Sequence, residues 1–190
     1  MFFQSAEYGP DIAALLALHG SGQRALPLVR SAAPPPASSL TAVKTAAELF
    51  PGALAPAAAL AGLHLYLGDW DRAHALAQNV DGPEGSYWHA IVHRMEPDPG
   101  NAGYWFRAVG THAVFEALQR EARAIAAMNG MPLLAASGAA WDPFAFVKIC
   151  GEAAARPGSA LERAAREVQL VEWQLLFDYC ARAGRRSVPA

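Results

Sequence analysis

The chain has 190 residues, 53% of them hydrophobic and only 17% charged, with a formal net charge of −2. That balance excludes intrinsic disorder, which needs low hydrophobicity and high charge, and a length of about 100–200 residues suits one domain with its own core. Nucleic-acid binding through bulk charge is not expected, because neutralising phosphates needs a basic excess.

Residues 1–7 carry no basic stretch followed by a long apolar one, so no secretory leader is expected. No apolar run reaches the roughly 20 residues that span a bilayer. The expectation is therefore a cytoplasmic chain with no membrane partner. Its two cysteines, Cys150 and Cys180, lie inside apolar helical patterns and are expected to be reduced and buried.

Alanine and leucine dominate, both strong helix formers, and period-two runs of Val, Ile and Thr are missing. Pro10-Asp11 opens a helix predicted over 10–19. Residues 21–39 hold Gly22, Pro27 and Pro34-Pro35-Pro36 and read as a Pro/Ser-rich loop with one helical turn near Leu28. Ser39 is placed as the cap of a helix over 40–50, stopped by Pro51-Gly52. Pro56 suits the first turn of a helix over 56–67, ended by Gly68. Asp69 is the expected cap of 69–80, and helices follow over 84–95, 98–110 and 114–128. Asp142-Pro143 opens 142–155, and Ser159 with Glu162 forms a capping-box pattern for 159–182, before 185–190 frays.

The fold class is thus all-α, a single domain over 1–190 built as an irregular array of antiparallel helical hairpins. Two hairpins match at an offset of 29 residues, which pairs Asp69 with Asp98, Ala73 with Ala102 and His64 with His93. Each reads as helix, tight turn, then helix with a small residue one turn in. This resembles tetratricopeptide-type repeats, in which hairpins stack into a solenoid. An Ala-rich helical protein also gives such matches without any repeat.

Residues 87–112 stand out, with three of the six histidines and two of the five tryptophans. A helix turns about 100° per residue, so His93 lies about 40° around from His89 and Glu96 about 20° the other way. Two imidazoles one turn apart and a carboxylate beyond them can hold a divalent metal such as zinc, or can act as a general acid–base set. Asp98 and Asn101 are near enough in sequence to join the site, Arg107 and His112 to add polar contacts, and His74 to approach from the preceding helix. The competing reading is structural: Asp98 as an N-cap, Glu96 in local ion pairs, and Tyr104, Trp105 and Phe106 as core. Trp88 and Trp105 are expected to be buried where the hairpin helices meet.

In the last helix Val168, Val171, Leu175 and Tyr179 form one apolar stripe, with Leu176 beside it. Gln169, Glu172 and Trp173 share an adjoining face. That face is either solvated or buried, and burial would require partners such as His89, His93 or Arg107.

The string Tyr87-Trp88-His89, His93-Arg94, Glu96-Pro97-Asp98, Asn101-Ala102 and Tyr104-Trp105-Phe106-Arg107 resembles a family of small helical proteins. The resemblance extends through Trp141-Asp142-Pro143-Phe144 and through 172–180. It implies a helical fold and carries over no activity and no catalytic residue. Glycine-rich phosphate loops, Gly-x-Ser-x-Gly and paired Cys-x-x-Cys are missing. Two functions remain. One is a module that binds a small molecule or peptide in an aromatic, His-rich groove around 87–112, through His89, His93, Glu96, Asp98, Asn101, Arg107 and His112. The other is a metal-dependent enzyme using His89, His93 and Glu96.

Overall fold

The computed structural model describes residues 3–30, 44–130 and 140–183. Among these the chain is all-helical, with no strand beyond one isolated bridge between Ala53 and Ala183. A 3-10 turn, Ser5–Tyr8, leads into α1 (Pro10–Ala17), and α2 (Ala46–Leu49), α3 (Pro56–Leu67), α4 (Trp70–Gln78) and α5 (Pro83–Met95) follow. They are succeeded by α6 (Pro99–Val109), α7 (Phe115–Met128), α8 (Pro143–Ala154) and α9 (Ala160–Ala181). No described helix is long and apolar enough to cross a membrane.

Helices α3 to α6 pack each on the next. Only short turns separate them, which forces neighbours to run antiparallel. The turn geometry recurs at the offset of 29: Asp69 N donates to His64 O at 2.9 Å and Asp98 N to His93 O at 3.0 Å. Ala73 and Ala102 are fully buried one turn later.

The caps differ in detail from expectation. Asp98 and Asp142 cap their helices, accepting from Asn101 N and from Phe144 N and Ala145 N. Asp69 does not cap α4, because its carboxylate turns back onto His64 Nδ1 at 3.0 Å. Glu162 donates its backbone N–H to Ser159 Oγ but sends its carboxylate to Gly158 N, so the capping box is only half made. Of the helix expected over 40–50, the described part is helical over α2, for which Thr45 and Glu48 form a complete capping box. Ser39 and 40–43 lie outside the described residues, as do 31–38 and 185–190.

Helix α9 is the spine, packing on α3, α7 and α8. Its buried stripe is centred one position away from the apolar one read in the sequence. Val168, Gln169, Glu172, Trp173, Leu176, Phe177 and Cys180 are buried, whereas Val171 and Tyr179 are only partly so. The polar members are all satisfied. Gln169 Nε2 donates to Pro27 O at 2.9 Å and Gln174 Nε2 to Gly22 O at 2.8 Å. Arg166 donates to the carbonyls of Ala25 and Leu26, both at 3.1 Å. Residues 22–28 are thereby tied down as an irregular segment, with Leu26 and Leu28 in the core and a bend at Leu28 where a helical turn was expected.

Glu172 is buried against Arg94 and Tyr87, and not against His89, His93 or Arg107. The two tryptophans also part company. Trp88 is fully buried, lying so close to α3 that a Cβ on Gly62 would stand 2.5 Å from its ring. Trp105 is only half-buried. Cys150 and Cys180 are free and buried, and burial pushes each thiol up to about 12, leaving both unreactive.

A three-histidine cluster between α4 and α5

His74 on α4 meets His89 and His93 on α5. One ligand nitrogen from each ring lies within 4.8 Å of the other two. His74 Nε2 and His89 Nε2 are 2.7 Å apart, a hydrogen bond in which one ring must donate and the other accept. The His89 ring is stacked between Trp105, at 4.1 Å between centroids, and His93, at 4.8 Å. His89 is 2% exposed and its Nδ1 is buried without a partner.

Helix geometry explains the convergence. His89 and His93 are one turn apart on the same face of α5. His74 lies four residues before the end of α4 and His89 six after the start of α5, so an antiparallel hairpin sets them opposite each other. That near-equal distance from the turn was a legible signal for His74.

Glu96 sits at the edge of the cluster. Its Oε2 is 3.2 Å from His93 Nδ1 and its Oε1 3.1 Å from Arg30 Nη1. The other residues singled out in the sequence are elsewhere. Asp98 and Asn101 make a local cap, with Asn101 Nδ2 donating to Asp98 at 2.8 Å. Arg107 is exposed on α6. His112 packs against Tyr87 and Tyr179, accepts from Val114 N at 3.3 Å and lies 3.9 Å from Glu84. Tyr104 is exposed and Phe106 is buried. Two adjoining cavities, of about 210 and 410 Å³, lie between α6 and α8 around Pro99, Val147 and Gly151, and neither is lined by a histidine.

The cluster disfavours protonation. Burial, then the neighbouring His74 and His93, lower the His89 pKa to about 4. Burial also lowers His93, although Glu96 pulls the other way. His64 and His112 are lowered by burial as well, against Asp69 and Glu84. Near neutral pH His89 is therefore an uncharged imidazole, the form that ligates metals.

This sets a pH dependence. The unfolded chain takes up protons on histidine near its ordinary pKa of about 6.5, while folded His89 resists protonation down to about 4. The unfolded state then binds more protons, so stability is fully present above about 6.5 and declines as the pH falls from there towards 4. Urea midpoints measured from pH 7.5 to 4.5 should show this decline, and His89→Phe should make it shallower, the remainder coming from His64, His93 and His112. An equal decline in both proteins would show that His89 is not the group responsible.

No family model, curated protein or solved structure matches the chain. Its class is set by fold and site: an all-helical protein with a histidine cluster built around the buried His89.

Proposed function

We propose that this protein binds a divalent transition metal, of the zinc class, through His74, His89 and His93. The observation that carries the reading is the convergence of three imidazoles from two helices, with the Nδ1 of His89 buried and unpartnered. Unpartnered imidazole nitrogens also occur at His64 and His112, outside the cluster, so it is the convergence of three rings that sets this place apart. Here the strongest contact His89 makes is to another imidazole.

The chemistry of the donor set fits. Imidazole nitrogen suits zinc, copper, nickel and iron, and three protein ligands leave a fourth position for water or a ligand. Zinc–nitrogen bonds of about 2.0–2.1 Å in tetrahedral geometry put ligating nitrogens roughly 3.3 Å apart. Binding would therefore open the His74–His89 pair from 2.7 Å and draw in the wider separations of the trio, which reach up to 4.8 Å.

Titration with zinc tests the reading. Wild type is expected to bind it and His89→Ala plus His93→Ala to lose the site, with His74→Ala also weakened. Equal zinc affinity in wild type and the double variant would remove the metal function.

A further inference from the structure

We propose that Glu96 is a positioning residue one layer outside the metal: it holds the Nδ1 proton of His93, so that Nε2 of that ring is the ligating nitrogen. Arg30 holds Glu96 in that role. This rests on the metal reading given above.

An imidazole offers one lone pair to a metal only if its other nitrogen carries the proton. An acceptor on that second nitrogen fixes the tautomer and the ring's orientation and makes the ligand more basic. Nδ1 of His93 is buried, and Glu96 Oε2, at 3.2 Å, is the charged group beside it. The approach is at ion-pair distance but is not aligned as a hydrogen bond, so a small turn of the carboxylate completes it, and no other group bonds Nδ1.

The rest of the carboxylate explains why Glu96 is not itself a ligand. Its Oε1 is taken by Arg30 Nη1 at 3.1 Å, and Arg30 also reaches Asp71 of α4 at 3.4 Å. Arg30 is seated by its backbone, its N–H donating to Met95 O at 2.8 Å. One carboxylate oxygen thus faces the histidine and the other a guanidinium that bridges α4 and the end of α5. The arrangement differs from His89, whose Nδ1 has no carboxylate beside it. His93 is the oriented ligand of the set, and His89 is held by ring stacking alone on that side.

Two measurements test this on the full chain, with melting curves confirming that each variant folds. In the metal-free protein, long-range proton–nitrogen correlation of the imidazoles should place the His93 proton on Nδ1. Glu96→Gln should keep it there, since an amide oxygen still accepts, and Glu96→Ala should release it. In competition with a chromophoric chelator, Glu96→Ala should bind zinc about 10–100-fold more weakly than wild type, with Glu96→Gln and Arg30→Met between the two. A His93 proton on Nε2 in the metal-free wild type overturns the inference, as does wild-type zinc affinity in Glu96→Ala. Loss in Glu96→Gln as complete as in the double histidine variant also overturns it, by making Glu96 a direct ligand. Wild type binding zinc no better than the double histidine variant overturns the metal reading and this inference with it. Sound zinc binding that ignores Glu96 overturns this inference alone.

Discussion

Glu172→Ala should destabilise the protein by about 3–5 kcal/mol, the range expected when one partner of a buried ion pair is removed. Both side chains of the Arg94–Glu172 pair are essentially inaccessible to solvent. The guanidinium donates through Nη2 to Glu172 Oε2, through Nη1 to Oε1 at 3.2 Å, and through Nη2 to Gln169 Oε1 at 3.3 Å. The Tyr87 hydroxyl adds a bond to Glu172 Oε1 at 3.1 Å, and the Phe146 ring lies 4.7 Å beneath the guanidinium. Burial is the largest single influence and works against the charge on Arg94, but Glu172, Cys150 and Tyr87 together outweigh burial and raise its pKa. Removing Glu172 leaves that cation with no countercharge in the core.

The same argument says what the pair does not do. Buried ion pairs are often no more stabilising than well-packed apolar side chains, because both charges must be desolvated. Arg94→Met combined with Glu172→Leu should therefore be less destabilised than Glu172→Ala alone, with part of the loss remaining because Tyr87 and Gln169 each forfeit a partner. Urea unfolding at neutral pH reads both. A loss below about 1 kcal/mol in Glu172→Ala would mean that water reaches Arg94 and the pair is not buried.

Trp173→Ala should lose a comparable amount, about 3–5 kcal/mol. The indole is 1% exposed, stacked on Phe177 at 4.8 Å and tilted against Tyr66 at 4.4 Å and Phe3 at 5.3 Å. It therefore joins α9, α3 and the N-terminal segment at one point. Its Nε1–H donates to Gly62 O at 2.8 Å, a carbonyl inside α3 that already accepts a helical bond, so truncation removes a second bond to it without leaving it unpaired. Trp173→Phe separates the two contributions. It keeps most of the ring contact and gives up the hydrogen bond, with an expected loss of about 1–3 kcal/mol. If Trp173→Phe proves as damaging as Trp173→Ala, the hydrogen bond and not the ring packing dominates at this site.

Local signals were strong wherever the physics is local. Pro56, Pro99 and Pro143 each stand at a helix start, where the missing N–H loses nothing, and Gly68 ends α3 in the left-handed conformation that its lack of a Cβ permits. Asp98 and Asp142 cap as their positions suggest, since the side chain needs to reach only two or three residues. The shared face of His89 and His93 follows from helical spacing alone. Asp69 fails as a cap for a reason outside its own helix: His64, at the end of α3, offers its carboxylate a closer partner.

What the tertiary structure decided is the choice among partners. Glu96 was legible as lying on the face of His93, but not as engaged by Arg30, which comes from 66 residues away. Arg94 looked like one more charge at a helix end until α9 brought Glu172 against it from 78 residues away. Gln169 and Glu172 fit either a solvated or a buried face in sequence, because a polar residue carries no mark of where its partner lies. Helical periodicity settles which residues share a face, as it did for His89 and His93. Only the packing of α4 on α5 and of α9 across the hairpins determines what that face meets, since those contacts join residues that no local pattern links.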